Sequence, residues 1–270
     1  KTIAEADPLL IEQAGLYADR LSVNIELPTE TALNSFAPEK SGQTIRKAMA
    51  DVRLRIDAQK EEETTKVFRK SNNAPRFAPA GQSTQMIIGA DQSTDADIIG
   101  TSERLYSGYN MRRVYYSAYS PIPDASGDLP PVSPPLIREH RLYQADWLFR
   151  FYGFKTSEIL SASVDGMLDL DIDPKLSWAL KHREWFPMDI NRASKSQLMR
   201  VPGLGARTVE KLLSARQLTR LTLQDLAKLA PSVKKLMPFV ETADWSPGGL
   251  TDSENLRARY APPPEQLSLI

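Results

Sequence analysis

Five consecutive residues, Val201-Pro202-Gly203-Leu204-Gly205, have the types and spacing to hold a phosphate. Two glycines two apart, behind a proline that donates no hydrogen bond, let the backbone turn tightly between two helices with amide N–H groups pointing outward. Arg207, Thr208 and Lys211 follow on the helix that leaves the turn, so two cations and a hydroxyl can join those amides. The chemistry on offer is anion binding, without bond making.

A second group lies near the other end of the chain. In Leu21-Ser-Val-Asn-Ile-Glu-Leu27, apolar residues alternate with Ser22, Asn24 and Glu26. Period two is a strand signal, and in a barrel both faces are enclosed, so Asn24 and Glu26 would point at a lumen or site. Glu26 and Asp91 are also available as a general acid or base, although lone carboxylates at strand ends commonly cap the next helix.

These residues need elements to position them. Before the glycine turn, Asp189 to Ser194 carries a helix-start signal, and Leu198, Met199 and Val201 give a short helix its apolar face; after it, Val209, Leu212 and Leu213 recur at helical spacing. Helix, hairpin, helix is the expected order. Upstream, a helix is expected over Asp7 to Arg20, with Asp7 as cap, Pro8 in the first turn, and Leu9, Leu10, Ile11, Ala14 and Leu16 on one side. A charged helix runs from Thr44 to about Lys66 after a Phe36 to Gly42 loop, and Asn72 to Gly81 is a further loop. Gln82 to Ala90 and Arg112 to Ser120 are two more strands, separated by a helix capped by Ser93 or Thr94. Alternating helices and strands predict an α/β fold with a parallel sheet or barrel, whose functional residues sit at the C-terminal strand ends.

Pro121 to Pro135 holds six prolines and reads as a linker. Leu136 to Tyr152 is an aromatic amphipathic helix whose Trp147, Phe149 and Tyr152 are expected in a core rather than as a stacking platform. Asp169, Asp171 and Asp173 are either a carboxylate cluster or the loop before a helix from Lys175 to Trp185. His140 and His182 are expected at the surface, and the tail after Trp245 is expected to be irregular. The resulting division is 1–121, a half barrel; 122–135, the linker; 136–187, a helical connector; 188–243, the hairpin domain; and 244–270, the tail.

Composition narrows the function. The 270 residues carry no net charge, yet Lys181 to Lys235 hold twelve Lys and Arg against four Asp and Glu, a net of +8 that leaves −8 for the remainder. A basic block centred on the glycine turn is the footprint of phosphate binding. With no cysteine, the chain has no disulfide, no thiolate metal site and no thiol nucleophile. No apolar run reaches membrane-span length and no signal peptide opens the sequence, so no membrane partner and a cytoplasmic location are expected.

The stretch M-D-I-N-R-A-S-K-S-Q-L-M-R-V-P-G-L-G-A-R-T-V-E-K-L-L-S-A-R resembles the helix-hairpin-helix DNA-binding motif, and Leu223 to Val240 resembles a degenerate second copy. The resemblance implies backbone-phosphate contacts from Val201, Gly203, Leu204, Gly205, Arg207, Thr208 and Lys211, without sequence readout. The upstream stretches L-S-V-N-I-E-L-P-T-E, F-A-P-A-G-Q-S-T-Q-M-I-I-G-A-D, R-R-V-Y-Y-S-A-Y-S-P-I-P and L-I-R-E-H-R-L-Y-Q-A-D-W-L-F-R-F-Y-G-F resemble, in that order, the later part of a radical S-adenosylmethionine (radical SAM) protein. Together with the hairpin, the chain is similar to a bacterial family of DNA modification/repair radical SAM proteins. That resemblance implies the second half of a partial βα barrel, cofactor contacts from Asn24, Glu26, Gln85, Ile87, Gly89 and Ser120, and nucleic acid, DNA in the expected form, as partner.

The family's three cluster-binding cysteines are absent from this sequence, so a 4Fe-4S cluster cannot be held by it. Because the sequence starts at Lys1, the N-terminal half of the barrel is expected to be missing, and a half barrel with open sheet edges is expected to be marginally stable alone. A DNA-binding module without enzymatic activity and a barrel enzyme acting on a small metabolite are the alternative functions.

Overall fold

The computed structural model describes residues 1–65, 75–124 and 127–262. The end of the helix expected to reach Lys66, residues 72–74 of the following loop, residues 125–126 of the proline-rich stretch and the tail from Pro263 lie outside the described residues. The chain divides into two units, Lys1–Glu139 and His140–Ile270, and the division falls inside a single helix.

In the first unit, α1 (Pro8–Tyr17) starts where expected: Asp7 accepts a 2.8 Å hydrogen bond from the Leu9 amide, and Pro8 occupies the first turn. Its inward face differs from expectation. Leu9 is 72% exposed and Leu10 is 59% exposed, while Ile11 and Ala14 pack on a cluster of Leu21, Val52, Ile56, Phe77 and Ala78. Gly15 sets this orientation, because a Cβ there would stand 2.0 Å from the Phe77 ring. Only glycine allows so close an approach.

The chain continues through β1 (Leu21–Ser22), α2 (Glu30–Phe36), α3 (Gly42–Thr65), β2 (Gln82–Ile88), α4 (Asp95–Tyr109) and β3 (Arg113–Ala118). The three strands form one sheet in the order β1-β2-β3, parallel throughout, with Leu21 opposite Gln82 and Thr84 opposite Val114. Mixed α/β architecture with a parallel sheet is what the alternation of patterns predicts. The strand expected over Leu21 to Leu27 is cut to two residues. Thr84 Oγ1 accepts from the Ile25 amide at 2.9 Å, and Glu26 adopts a left-handed φ of 66°. A side chain thus replaces a ladder bond; Val23 pairs with Thr2 instead, and pairing with β2 resumes at a bridge between Glu26 and Met86.

The helix α2 was not anticipated: residues 30–36 follow Pro28 and precede a glycine- and proline-marked loop. Thr29 caps it by accepting from the Ala32 amide at 3.2 Å. In α3, Ile45, Met49, Val52 and Ile56 recur every three to four residues and are all buried. Each such side chain is worth about 1.5–3 kcal/mol on leaving water, so this stripe holds the helix to the sheet. Thr94 and Asp97 cap each other at the start of α4. At the first position of α4, the fully buried Asp95 receives Arg138 Nε at 2.8 Å, and Arg138 Nη2 reaches the Ser93 carbonyl at 2.9 Å.

The helix α5 (Leu136–Phe151) carries the division between the units. The second unit continues through α6 (Thr156–Ser161), α7 (Pro174–Lys181), β4 (Met188–Asp189), α8 (Lys195–Leu198), α9 (Ala206–Ala215), α10 (Leu223–Leu229), α11 (Val233–Leu236) and β5 (Val240–Glu241). Capping boxes open α8 (Ser194 with Gln197) and α10 (Thr222 with Asp225). The pair β4 and β5 is parallel, with Met188 opposite Val240. Asn191 ties the two helical pairs together: its amide bonds the Leu221 carbonyl at 3.1 Å and its carbonyl accepts from the Leu221 amide at 2.8 Å.

At the centre of this unit, Trp178 meets Phe154, Trp185 and Phe186 edge-on at 5.4–6.3 Å. The tail is more ordered than its composition suggests: Gly248–Leu250 and Glu254–Arg259 are 3-10 turns, Leu256 is buried, and Thr251 bonds the Pro238 carbonyl. Prolines and glycines there shape turns that pack.

Candidate functional site

The turn at Val201–Gly205 joins α8 to α9. Val201 and Leu204 are buried and anchor it, the Leu204 amide bonds the Val201 carbonyl at 3.2 Å, and Gly203 takes φ 83° at the exposed tip. A side chain at Gly203 would be strained in that conformation and would also meet Leu236 at 3.0 Å. Gly205 is the N-cap of α9 and supplies no side-chain acceptor. The first-turn amides of a ten-residue helix therefore face outward with the positive end of its dipole.

Arg207 and Lys211 lie one turn apart and exposed on α9. Lys235, from the second helical pair, places its Cβ 3.9 Å from where a Gly203 side chain would start. Among the described residues Arg207, Lys211, Arg220, Lys234 and Lys235 are exposed and have no carboxylate partner. The rest of the basic block is committed. Lys195 pairs with Glu210, Arg192 with Asp189 and Lys228 with Asp225, while Arg216 donates to the Ile190 and Ala193 carbonyls.

Arg200 belongs to the interior. It makes a bidentate pair with Glu158 at 2.8 and 3.0 Å, over the faces of Phe154 and Trp178. Burial alone would raise the Glu158 carboxyl, but the Lys155 amide and Arg200 hold it below its ordinary value.

Behind the turn stands Lys175, which sequence reasoning missed. Asp173 caps α7 by accepting from the Lys175 and Leu176 amides; this brings the Lys175 ammonium to within 2.7 Å of the Leu204 carbonyl and 4.8 Å of the Tyr152 ring centre. Burial pushes its pKa down to about 7, Asp173 opposing and Arg200 assisting. Above about pH 7 the folded state releases a proton that the unfolded chain keeps until about pH 10.5, so stability rises through that window. Lys175→Met removes the dependence. The stability of the Met variant relative to the native protein should fall by about 2–4 kcal/mol between pH 6 and pH 10, at about 1.4 kcal/mol per unit, in urea titrations at each pH.

The aromatic helix α5 also differs from expectation. Leu142, Ala145 and Leu148 are buried, whereas Trp147 is 48% exposed and Phe151 52% exposed, their rings 5.0 Å apart. Tyr143, Trp147 and Phe151 form a second stripe at i, i+4, i+8 beside the apolar one, and that spacing was the available signal. Trp147, Leu148 and Tyr152 line a cleft of about 610 Å³ together with Lys175, Gly203, Leu204, Gly205 and Thr208.

The aspartates resolve into structural roles. Asp169 and Asp171 both receive Arg257, at 2.7 and 3.0 Å, and Asp173 is the α7 cap. Among the described residues no group of three or more His, Asp or Glu is placed to hold a metal ion. His140 is exposed, and His182 is partly exposed, its ring 4.9 Å from that of Trp178 with Ser161 and Glu184 each 3.1 Å from a ring nitrogen.

In the first unit, Asn24, just past β1, meets Gln85 in the middle of β2; their side chains bond at 3.3 Å, and Ser22 donates to Asn24 at 3.0 Å. Glu26 is held by Lys40 at 3.2 Å, and its backbone exchanges bonds with Gln85 and Ile87. Ile87 packs on the Leu27, Ala32 and Ala90 cluster rather than standing free. Gly89 takes φ 79°, and a side chain there would meet Pro134 at 2.7 Å. Ser120 is exposed beyond the end of β3. Asp91 accepts from Ser93.

Among the described residues no helix is long and apolar enough to cross a membrane. No family model matches the sequence, and neither curated proteins nor solved structures give a significant match.

Proposed function

We propose that this chain binds nucleic acid, DNA in the expected form, through backbone-phosphate contacts at a helix-hairpin-helix spanning Ser194 to Ala215. The observation that carries the reading is the uncapped start of α9 at Gly203–Gly205, flanked by Arg207, Lys211 and Lys235 without carboxylate partners. Amides, dipole and cations there all favour an anion, and none reads a base edge. Binding is then sequence-independent and weakens steeply with salt, because each neutralised phosphate releases counterions.

The double variant Arg207→Ala/Lys211→Ala should lower affinity for a short DNA duplex about tenfold and flatten the plot of log affinity against log salt by about two. Fluorescence anisotropy at several salt concentrations measures both. An unchanged slope would remove these residues, and with them the hairpin, from the interface.

The first unit is read as the later half of a radical SAM barrel whose product chemistry modifies or repairs the bound nucleic acid. Its support is the parallel order β1-β2-β3 with amide and carboxylate groups, Asn24 and Glu26 past the end of β1 and Gln85 within β2, beside it. These suit the ribose hydroxyls and ammonium of S-adenosylmethionine. The cluster does not fit this chain, which has no thiolate to bind iron. Titration calorimetry with S-adenosylmethionine tests the cofactor site, and absence of binding would leave the alternative of a DNA-binding module without its own chemistry.

A further inference from the structure

The cleft beside the hairpin has walls that a phosphate does not use. Trp147, on α5, and Tyr152, just past its end, line one part of it. Lys175 with the Gly203–Gly205 backbone and Thr208 line another. The Tyr152 hydroxyl lies 3.6 Å from where a Gly205 side chain would start, so the aromatic wall reaches the phosphate-binding turn itself. Trp147 keeps nearly half its surface in water although its neighbours Leu148 and Ala145 are buried. Its ring lies 5.0 Å from that of Phe151, tilted by 57°.

An opening of about 610 Å³ is large enough for a nucleoside. A base with a π-face fits the aromatic wall whatever its sequence identity. The attached phosphate is the group that the adjacent turn and the exposed Lys235 and Arg207 attract. A base paired inside a duplex cannot reach such a wall without leaving its stack, which costs a few kcal/mol.

We infer that this cleft takes an unpaired base, stacked on Trp147, of a strand whose phosphate sits at the Gly203–Gly205 turn, so that the protein prefers single-stranded nucleic acid or frayed ends over intact duplex. The inference rests on the hairpin binding phosphate. It adds the strandedness of the partner, and it makes Trp147 a binding residue for which the hairpin has no need.

The experiment compares a labelled twelve-nucleotide oligo-dT with a twelve-base-pair duplex by anisotropy, using the full chain. The native protein should bind the single strand several-fold more tightly. Trp147→Ala should weaken single-strand binding about five- to tenfold, as loss of one stacked base does, and change duplex binding less than twofold, while Trp147→Phe retains most single-strand affinity. Equal losses on both ligands, or no loss on either, would overturn the cleft assignment. Arg207→Ala/Lys211→Ala separates the two ideas: losses on both ligands keep the hairpin reading whatever Trp147 does. If those charge changes alter neither, the hairpin reading falls and the base site falls with it. Thermal unfolding by circular dichroism confirms that each variant is folded, which the exposure of Trp147 favours.

Discussion

Trp178→Ala is expected to cost the second unit about 3–5 kcal/mol, the range for removing a fully buried Trp from a packed core. Trp178 is 2% exposed and is ringed by Phe154, Trp185, Phe186 and His182, with the Arg200 guanidinium 5.8 Å from its ring centre. Truncation leaves a cavity that four rings cannot close together, since moving any one of them breaks its contact with the others. All four tryptophans, at positions 147, 178, 185 and 245, lie in the second unit. Intrinsic fluorescence in a urea titration therefore reports this unit alone. The midpoint should drop by about 1–5 M, given slopes of about 1–3 kcal/mol per molar urea. A drop below half a molar would mean that the cluster repacks. Trp178→Phe, which keeps an edge contact, should lose about half as much.

Arg138→Met carries the second large effect, in the first unit. The substitution keeps the length of the side chain but removes the cation from Asp95, which has no exposed surface. The Ser93 carbonyl also loses its donor, just before α4 begins. A buried carboxylate stripped of its cation costs about 3–5 kcal/mol, whereas replacing both partners with neutral groups is far milder. Arg138→Met is accordingly expected to accelerate amide exchange in β2, α4 and β3, and Asp95→Asn in the same chain should recover part of the loss. If the double variant is no more stable than Arg138→Met, the pair contributes little and the arginine acts by packing its stem.

Much of the architecture was legible because local chemistry and tertiary demand agree. Asp7, Thr94 and Ser194 announce helix starts, and each accepts the backbone hydrogen bond that its type suggests. The strands Gln82–Ile88 and Arg113–Ala118 carry β-branched and aromatic residues bounded by loop residues, and they pair in parallel. The turn between α8 and α9 was legible for the same reason: a φ of 83° at Gly203 is one that glycine adopts freely.

What escaped the sequence was set by contacts across the chain. Nothing in L-S-V-N-I-E-L shows that Thr84, almost sixty residues on, will take the Ile25 amide and end the strand. The stripe of Leu9 and Leu10 looks like a core face until Phe77 finds the gap at Gly15. Lys175 reads as a surface lysine at the start of a helix, and only the fold reveals that it is sealed between Tyr152 and the Leu204 carbonyl. Arg200 counts toward a basic block in the sequence, yet its charge is spent on Glu158 inside the unit. Charge counts along a sequence overstate the cations free to meet a phosphate; the exposed, unpartnered subset is smaller.

The short parallel pair of β4 with β5 has a mechanical consequence. The two helical pairs begin at Met188 and end at Glu241, and those ends are joined by bonds from the Met188 amide to the Phe239 carbonyl and from the Ile190 amide to the Glu241 carbonyl, each 3.0 Å. Tension drawn between the two ends runs along both strands in opposite directions. It loads the two bonds together in shear, so neither can peel before the other. A segment clasped in this way resists being pulled apart at its ends.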